Sequence, residues 1–257
     1  MKKKSGNIED KLIPLAFIGI LILIWQLVVD KGVIPRFILP SPSDVIITTI
    51  QIFGDIKKHI LITLYEAMLG FTIAILLSLI LSILMDSFVI VKKAIYPLLI
   101  ISQTIPIVAL APLFVIWFGF GLLPKIIVVI LVCFFPIVIS LLDGLQSVDQ
   151  DILNLLKSMG ASNMKIFVLV KFPNSMMSFF SGLRIAATYS IMGAVIGEWL
   201  GGENGLGVYM MRVKHSYAMN KVFAVILIIV VLSILLFKII DLIQYISMPW
   251  NRKHLKN

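Results

Sequence analysis

The chain has 257 residues, of which 60% are hydrophobic and 14% charged, with a mean hydropathy of +1.08. A soluble domain carries about 45–50% apolar and about 25% charged residues, so the composition excludes an ordinary soluble core and makes lipid the natural solvent. The formal charge of +9, from 22 Lys+Arg against 13 Asp+Glu, sits mainly between long apolar runs, which suits loops facing anionic lipid and argues against a nucleic-acid partner.

A hydrocarbon layer of about 30 Å needs about 20 apolar residues per helix. Lys2, Lys3 and Lys4 precede the first such run, 12–29. It is uncharged, longer than a secretory signal core and followed by no A-x-A-like site, so it reads as an uncleaved first span. Two prolines and then Ser43 and Asp44 follow, a plausible helix cap ahead of a short surface helix over 45–52. The second span is 62–85. The third apolar run, 94–124, is too long for one straight helix and predicts a span over 94–118 that turns at Gly119–Gly121. The fourth is 126–142, and Cys133 within it reads as a small buried hydrophobe.

The segment 143–172 is more than a connector. Asp149 or Asp151 can cap a short helix running to Met159, and Gly160 can end it in a left-handed conformation. A second helical stretch, 162–171, is expected to stop before Pro173. The fifth span, 182–200, has Arg184 and Glu198 near its ends, where charges can reach the headgroups. The sixth, 222–246, contains Lys238 and Asp241. The expectation is an all-α polytopic membrane protein of about six transmembrane helices, forming one transmembrane domain over 1–257 with a helical hairpin on the cytoplasmic face.

Orientation follows from Lys and Arg. With the N-terminus inside, the inner set is Lys2, Lys3, Lys4, Lys11, Lys92, Lys93, Lys157, Lys165, Lys171, Arg252, Lys253 and Lys256. The outer set is Lys31, Arg36, Lys57, Lys58, Lys125, Arg212, Lys214 and Lys221. Twelve against eight places both termini in the cytoplasm.

Nucleotide and catalytic signatures are missing. There is no G-x-x-x-x-G-K-[ST], H-E-x-x-H, G-x-S-x-G or C-x-x-C. The glycine-rich stretch 201–207 follows a span and lacks the lysine and hydroxyl that hold phosphate and magnesium, so it reads as a re-entrant or tight-turn segment. His59, His215 and His254 show no metal-ligand spacing and read as solvated loop or tail residues. No catalytic, cofactor-binding or metal site is expected.

Polar groups inside spans are the default functional candidates. Glu66 is one. Gln103 and Thr104 lie just before Pro106, and Pro106 and Pro112 each free a backbone carbonyl that must face protein or water. The third helix therefore lines a solute path or is a kinked packing helix. The fifth carries Arg184, Thr188, Tyr189, Ser190 and Glu198, with small residues at Gly182, Ala186, Ser190 and Ala194 and a second row at Gly193, Gly197 and Gly201. Those rows serve close packing, or place the helix near a dimer centre beside a pore.

Gly160, Val170 and Pro173 resemble the signature E-A-A-x3-G-x9-I-x-L-P of ABC importer permeases, although Asn154-Leu155-Leu156 stand at E-A-A and Phe172 at the leucine. The flanking stretches LPSPS (39–43), PIVALAPLFVIWFGFG (106–121), GLQSVD (144–149), GAS (160–162), GLR (182–184), GEWLG (197–201) and GLG (205–207) are similar, in the same order, to permeases of nitrate/sulfonate/taurine-type importers. The resemblance implies a six-helix permease working as a homodimer in a bacterial cell membrane. A separate ATPase, which binds the ATP, would dock on a coupling helix in the loop holding Asp151, Leu155, Leu156, Lys157, Gly160, Ala161 and Pro173. An extracytoplasmic solute-binding protein would deliver the solute. Gln103, Thr104, Pro106, Thr188, Tyr189 and Glu198 are the candidate solute path. Glu198-Trp199-Leu200-Gly201-Gly202 is similar to the subgroup associated with pyrimidine precursors of thiamine, with sulfonates, taurine and nitrate as the other solutes. The competing reading is a secondary transporter or channel needing no ATPase.

Overall fold

The computed structural model describes residues 8–249, with the side chains of 8–11 and 201 excepted. The basic residues Lys2, Lys3, Lys4, Arg252, Lys253 and Lys256, and His254, lie outside the described residues. Ten α-helices follow in order: α1 (Ile8–Asp30), α2 (Pro42–Ser87), α3 (Val89–Gln103), α4 (Ile107–Phe118), α5 (Leu122–Gln146), α6 (Gln150–Ser158), α7 (Asn163–Ile166), α8 (Phe172–Gly201), α9 (Leu206–His215) and α10 (Met219–Ser247). Among the described residues five helical stretches are long and apolar enough to cross a membrane, six if the bent pair of α3 and α4 is counted as one span.

The cap of α2 is Ser41, not Ser43. The Ser41 hydroxyl accepts from Asp44 N–H while the Asp44 carboxylate accepts from Ser41 N–H, a reciprocal capping box with Pro42 opening the helix. The short surface helix expected over 45–52 is the opening of a continuous 46-residue helix that includes the whole second span. No proline falls inside it after the first turn, and Gly54 alone does not stop it. At 1.5 Å per residue it is about 70 Å long, more than twice the hydrocarbon layer, so it is longer than one span needs, and its first half packs on α9 and α10.

The third run does not cross as one helix. It breaks at Thr104–Pro106 and bends by 102° between α3 and α4. Pro106 is extended (φ −61°, ψ 118°) and caps α4, whereas Pro112 is carried inside α4. Gly119 and Gly121, both at positive φ, then turn the chain into α5 as expected.

Helices α2, α5, α8 and α10 form the core. α5 packs along α8, α2 flanks both, and α10 closes the far side. Ala67, Phe71 and Ala74 of α2 meet Cys133, Ile137 and Leu141 of α5, and Ala186, Ala187 and Ile191 of α8. The small residues of α8 make this contact close. A Cβ on Gly182 would stand 2.6 Å from the Pro136 carbonyl, and one on Gly193 2.7 Å from Val132 Cγ2. These glycines serve packing within the chain. Cys133 is buried, with its thiol donating to the Ala186 carbonyl.

The stretch expected to stop before Pro173 runs on. A π-helical turn, Phe167–Lys171, joins α7 to α8, and Phe172 N–H reaches the Phe167 carbonyl. That wider turn lets the chain pass Pro173, which sits in the first turn of α8 where its missing donor costs little. α9, absent from the sequence reading, lies across the opposite end of the bundle from α6. There Leu206, Tyr209 and Val213 pack on Ile52 and Ile56 of α2 and Ala224 and Val225 of α10.

Candidate functional site

Two regions carry polar chemistry. The first is at the end of the bundle where α8 turns into α9. Thr63 and Glu66 are three residues apart on α2, hence on one helical face, and that face meets the last turns of α8. Thr63 Oγ1 donates to Glu198 Oε1 at 2.6 Å, and Thr63 Oγ1 in turn accepts from Leu206 N–H at 2.8 Å. Gly207 N–H donates to Glu198 Oε2 at 2.6 Å, and Gly205 N–H donates to His59 Nδ1 at 2.9 Å. Three successive backbone donors of the glycine-rich turn are thus held by side chains of α2 and α8. Gly205 has φ +126° and a Cβ there would overlap the Glu198 carboxyl. A glycine is required at that position both by backbone conformation and by space.

Beside this clamp, Lys125 Nζ donates to Glu66 Oε1 at 2.6 Å. Glu66, Lys125 and Glu198 are 2%, 6% and 1% exposed. Lys125 is therefore not the outer-loop cation that its place after Pro124 suggests. It lies in the first turn of α5, and its own backbone is pressed against Gly197 of α8, where a Cβ would stand 2.9 Å from Lys125 Cα. His59 likewise is buried on α2 and not solvated, whereas His215 is exposed at the end of α9. A cavity of about 390 Å³ opens over the pair, lined by Glu66, Lys125, Phe120, Leu122, Glu203 and Asn204 among others.

The second region is the hairpin of α6 and α7. Asp149 is the cap of α6, its carboxylate accepting from Asp151 N–H at 2.8 Å. Gly160 ends the hairpin's first arm at φ +82°, and Ser162 caps α7 by accepting from Lys165 N–H. Val148, Leu153 and Ile166 form a small apolar core of the hairpin's own. Leu155 (62% exposed), Met159 (74%) and Met164 point away from it. Two ties join the hairpin to the bundle. Lys171 Nζ bonds both Asp86 carboxylate oxygens at 2.9 Å, and Asn174 Nδ2 donates to Ser147 Oγ at 2.9 Å. A cavity of about 760 Å³ lies between α6, α7 and the end of α2, lined by Asp86, Gln150, Lys157 and Lys171 among others. Asp151, Lys157 and Gly160 are exposed, while Leu156, Ala161 and Pro173 are half-buried.

The six path candidates lie in three places. Gln103, Thr104 and Pro106 form the exposed break between α3 and α4. Thr188 and Tyr189 line a shallow apolar groove between α8 and α10. Glu198 is in the buried clamp. No hydrogen bond joins these places among the described residues. Sequence reasoning missed His59, Thr63 and Lys125 as members of a site. A lysine one helical turn after Gly119-Phe120-Gly121, at the head of an apolar run, with Glu66 in another span, was the available signal. Arg184, expected near a span end, lies well inside α8 because that helix begins at Phe172, and it bonds Asp241 at 3.2 Å, Ser181 at 3.0 Å, and Gln244.

Comparison with known proteins decides what this bundle is. The family described as the binding-protein-dependent transport system inner membrane component matches residues 70–253. The chain belongs to that family. It is a permease subunit of an ABC importer and a multi-pass membrane protein, and its family and relatives are transport proteins, not enzymes. Membership implies an ATPase and a solute-binding partner. The permease is 37% identical to the formylaminopyrimidine transport permease protein ThiX of Halalkalibacterium halodurans, over 98% of this chain and 100% of that protein. It is 28% identical to the putative aliphatic sulfonates transport permease protein SsuC of Bacillus subtilis, over 98% and 91%. It is also 27% identical to the taurine transport system permease protein TauC of Escherichia coli, over 91% and 88%.

Proposed function

We propose that two copies of this permease form a path for a thiamine pyrimidine precursor of the formylaminopyrimidine kind. The end-to-end match to a formylaminopyrimidine permease at 37% identity carries this reading, against 28% and 27% for the sulfonate and taurine relatives. Both termini face the cytoplasm, so the α6 hairpin is the coupling helix and the α9 end faces the binding protein. The hairpin suits that role: it has its own small core, exposed Leu155, Met159 and Met164 for a partner to cover, and a bidentate tie from Lys171 to α2. Asp151, Leu155, Leu156, Lys157, Gly160 and Ala161 form the docking surface, with Pro173 at its junction with α8. Closure of the ATPase rocks α8 and α2 together and gives alternating access. Gln103, Thr104, Pro106, Thr188 and Tyr189 line the path, and Glu198 sets its outer end.

The test is uptake by proteoliposomes holding the permease, its ATPase and its binding protein. Labelled formylaminopyrimidine is expected to enter with ATP and to resist competition by taurine, alkylsulfonate and nitrate. Uptake of a sulfonate in its place would overturn the solute. Because the single cysteine is buried, Ser158→Cys and Ser216→Cys report sidedness without background. Labelling of Ser158→Cys from the outside would reverse the orientation.

A further inference from the structure

The clamp contains two carboxyl groups and one ammonium, all enclosed. Glu66 Oε1 accepts from Lys125, whereas Glu66 Oε2 is buried and receives no donor from any described group. Glu198 accepts from Thr63 and from Gly207 N–H, and its carboxyl also lies within hydrogen-bonding reach of Glu66. Two carboxylates facing each other with their side chains almost wholly buried repel, and neither has a proton to give. The other charged or titratable groups do not close this gap. On α2, Lys58 acts on His59 and Asp55 on Tyr209, and His59 itself is occupied by Gly205 N–H. On α9, Tyr209 packs on His59 and the exposed Arg212 acts on it. Glu203 lines the cavity mouth and adds a further negative charge.

We propose that Glu66 and Glu198 hold one proton between them, as a resident ligand that latches the α8–α9 turn at the outer end of the permease. The proton sits on one carboxyl and donates to the other, so Glu66 Oε2 gains its missing hydrogen-bond partner. The shared single negative charge is then matched by Lys125, and the enclosed trio is neutral. With both oxygens of Glu198 engaged by Thr63 and Gly207, loss of the proton puts repulsion directly on the carboxyl that holds the turn. The latch therefore opens on deprotonation. This goes beyond the transport reading and does not depend on which solute is carried.

Isotope-edited infrared spectroscopy of the full-length chain in nanodiscs tests it. The sequence has only four glutamates, Glu9, Glu66, Glu198 and Glu203, so labelled glutamate isolates the signal. The wild type is expected to show a protonated-carboxyl C=O stretch at neutral pH that shifts in heavy water and disappears on raising the pH. Glu66→Gln and Glu198→Gln are each expected to remove the band, because either leaves one carboxylate matched by Lys125. Absence of the band in the wild type overturns the proposal, whatever the variants do. So does a band that survives in both single variants. Circular dichroism and gel filtration establish that each variant is folded, and the wild-type titration stands if one is not.

Discussion

Lys125, in the first turn of α5, reaches Glu66 of α2 across 59 positions of sequence with Nζ 2.6 Å from Oε1, and both side chains are enclosed by protein. Desolvating two charges opposes folding, but removing one partner is worse, since it leaves the other buried without compensation. Lys125→Ala is therefore expected to cost about 3–5 kcal/mol. Loss of monodisperse protein on gel filtration and a lowered thermal midpoint report it. Lys125→Met combined with Glu66→Met is expected to recover most of that loss, because apolar groups of similar volume replace the pair. Equal damage from the single and double variants would assign the effect to packing and not to charge.

This pair also shows where sequence reading ends. Long apolar runs made five of the spans legible, and Gly160 with Asp149 marked the hairpin. Composition at the ends of those runs was misleading. Lys125 follows Pro124 and so looks like a loop cation, yet α5 begins at Leu122 and carries it inward. His59 precedes the second apolar run, yet α2 begins at Pro42 and buries it under the glycine-rich turn. Pairings between helices 59 or more positions apart leave no spacing signal. Pro173 looked like a stop because a proline blocks an α-helical bond, and the π-turn that bypasses it has no mark in sequence. The bend at Pro106 was half visible: two prolines were evident, but which one breaks the helix depends on packing.

Gly205 and Gly32 both have positive φ, +126° and +73°, but their surroundings differ. A Cβ on Gly32 meets nothing within 4 Å, so Gly32→Ala bears only the left-handed backbone cost of about 1–2 kcal/mol. Gly205→Ala must also displace the Glu198 carboxyl, which frees Gly207 N–H and Thr63. It is expected to lower the thermal midpoint well beyond Gly32→Ala and to reduce ATP-driven uptake. Equal effects of the two variants would show that the clamp does not hold the turn.

Asp149 caps α6 through a single bond to Asp151 N–H. Asp149→Ala is expected to weaken α6 by about 0.5–2 kcal/mol. The bundle, which does not depend on that cap, keeps its thermal midpoint. The loss should appear as faster amide hydrogen exchange over 150–158 and a lower affinity for the ATPase. Asp149→Asn, which can cap equally well, is expected to behave as wild type. Unchanged exchange in Asp149→Ala would show that the cap is dispensable.

Gly160 combines φ +82° with open space around the position of a Cβ. The local consequence of Gly160→Asp is therefore backbone strain of about 1–2 kcal/mol together with a new charge on the exposed tip, without a clash inside the chain. Membrane insertion and the helical core should be retained, because nothing within 4 Å has to move. Docking is different, since a partner covering Leu155 and Met159 would enclose the carboxylate and would meet an altered break between α6 and α7. Co-purification with the ATPase is expected to be lost in Gly160→Asp and largely kept in Gly160→Asn, which tolerates the left-handed conformation and adds no charge. Loss in both would assign the defect to volume at the docking face. Retention in both would remove the Gly160 break from the coupling surface.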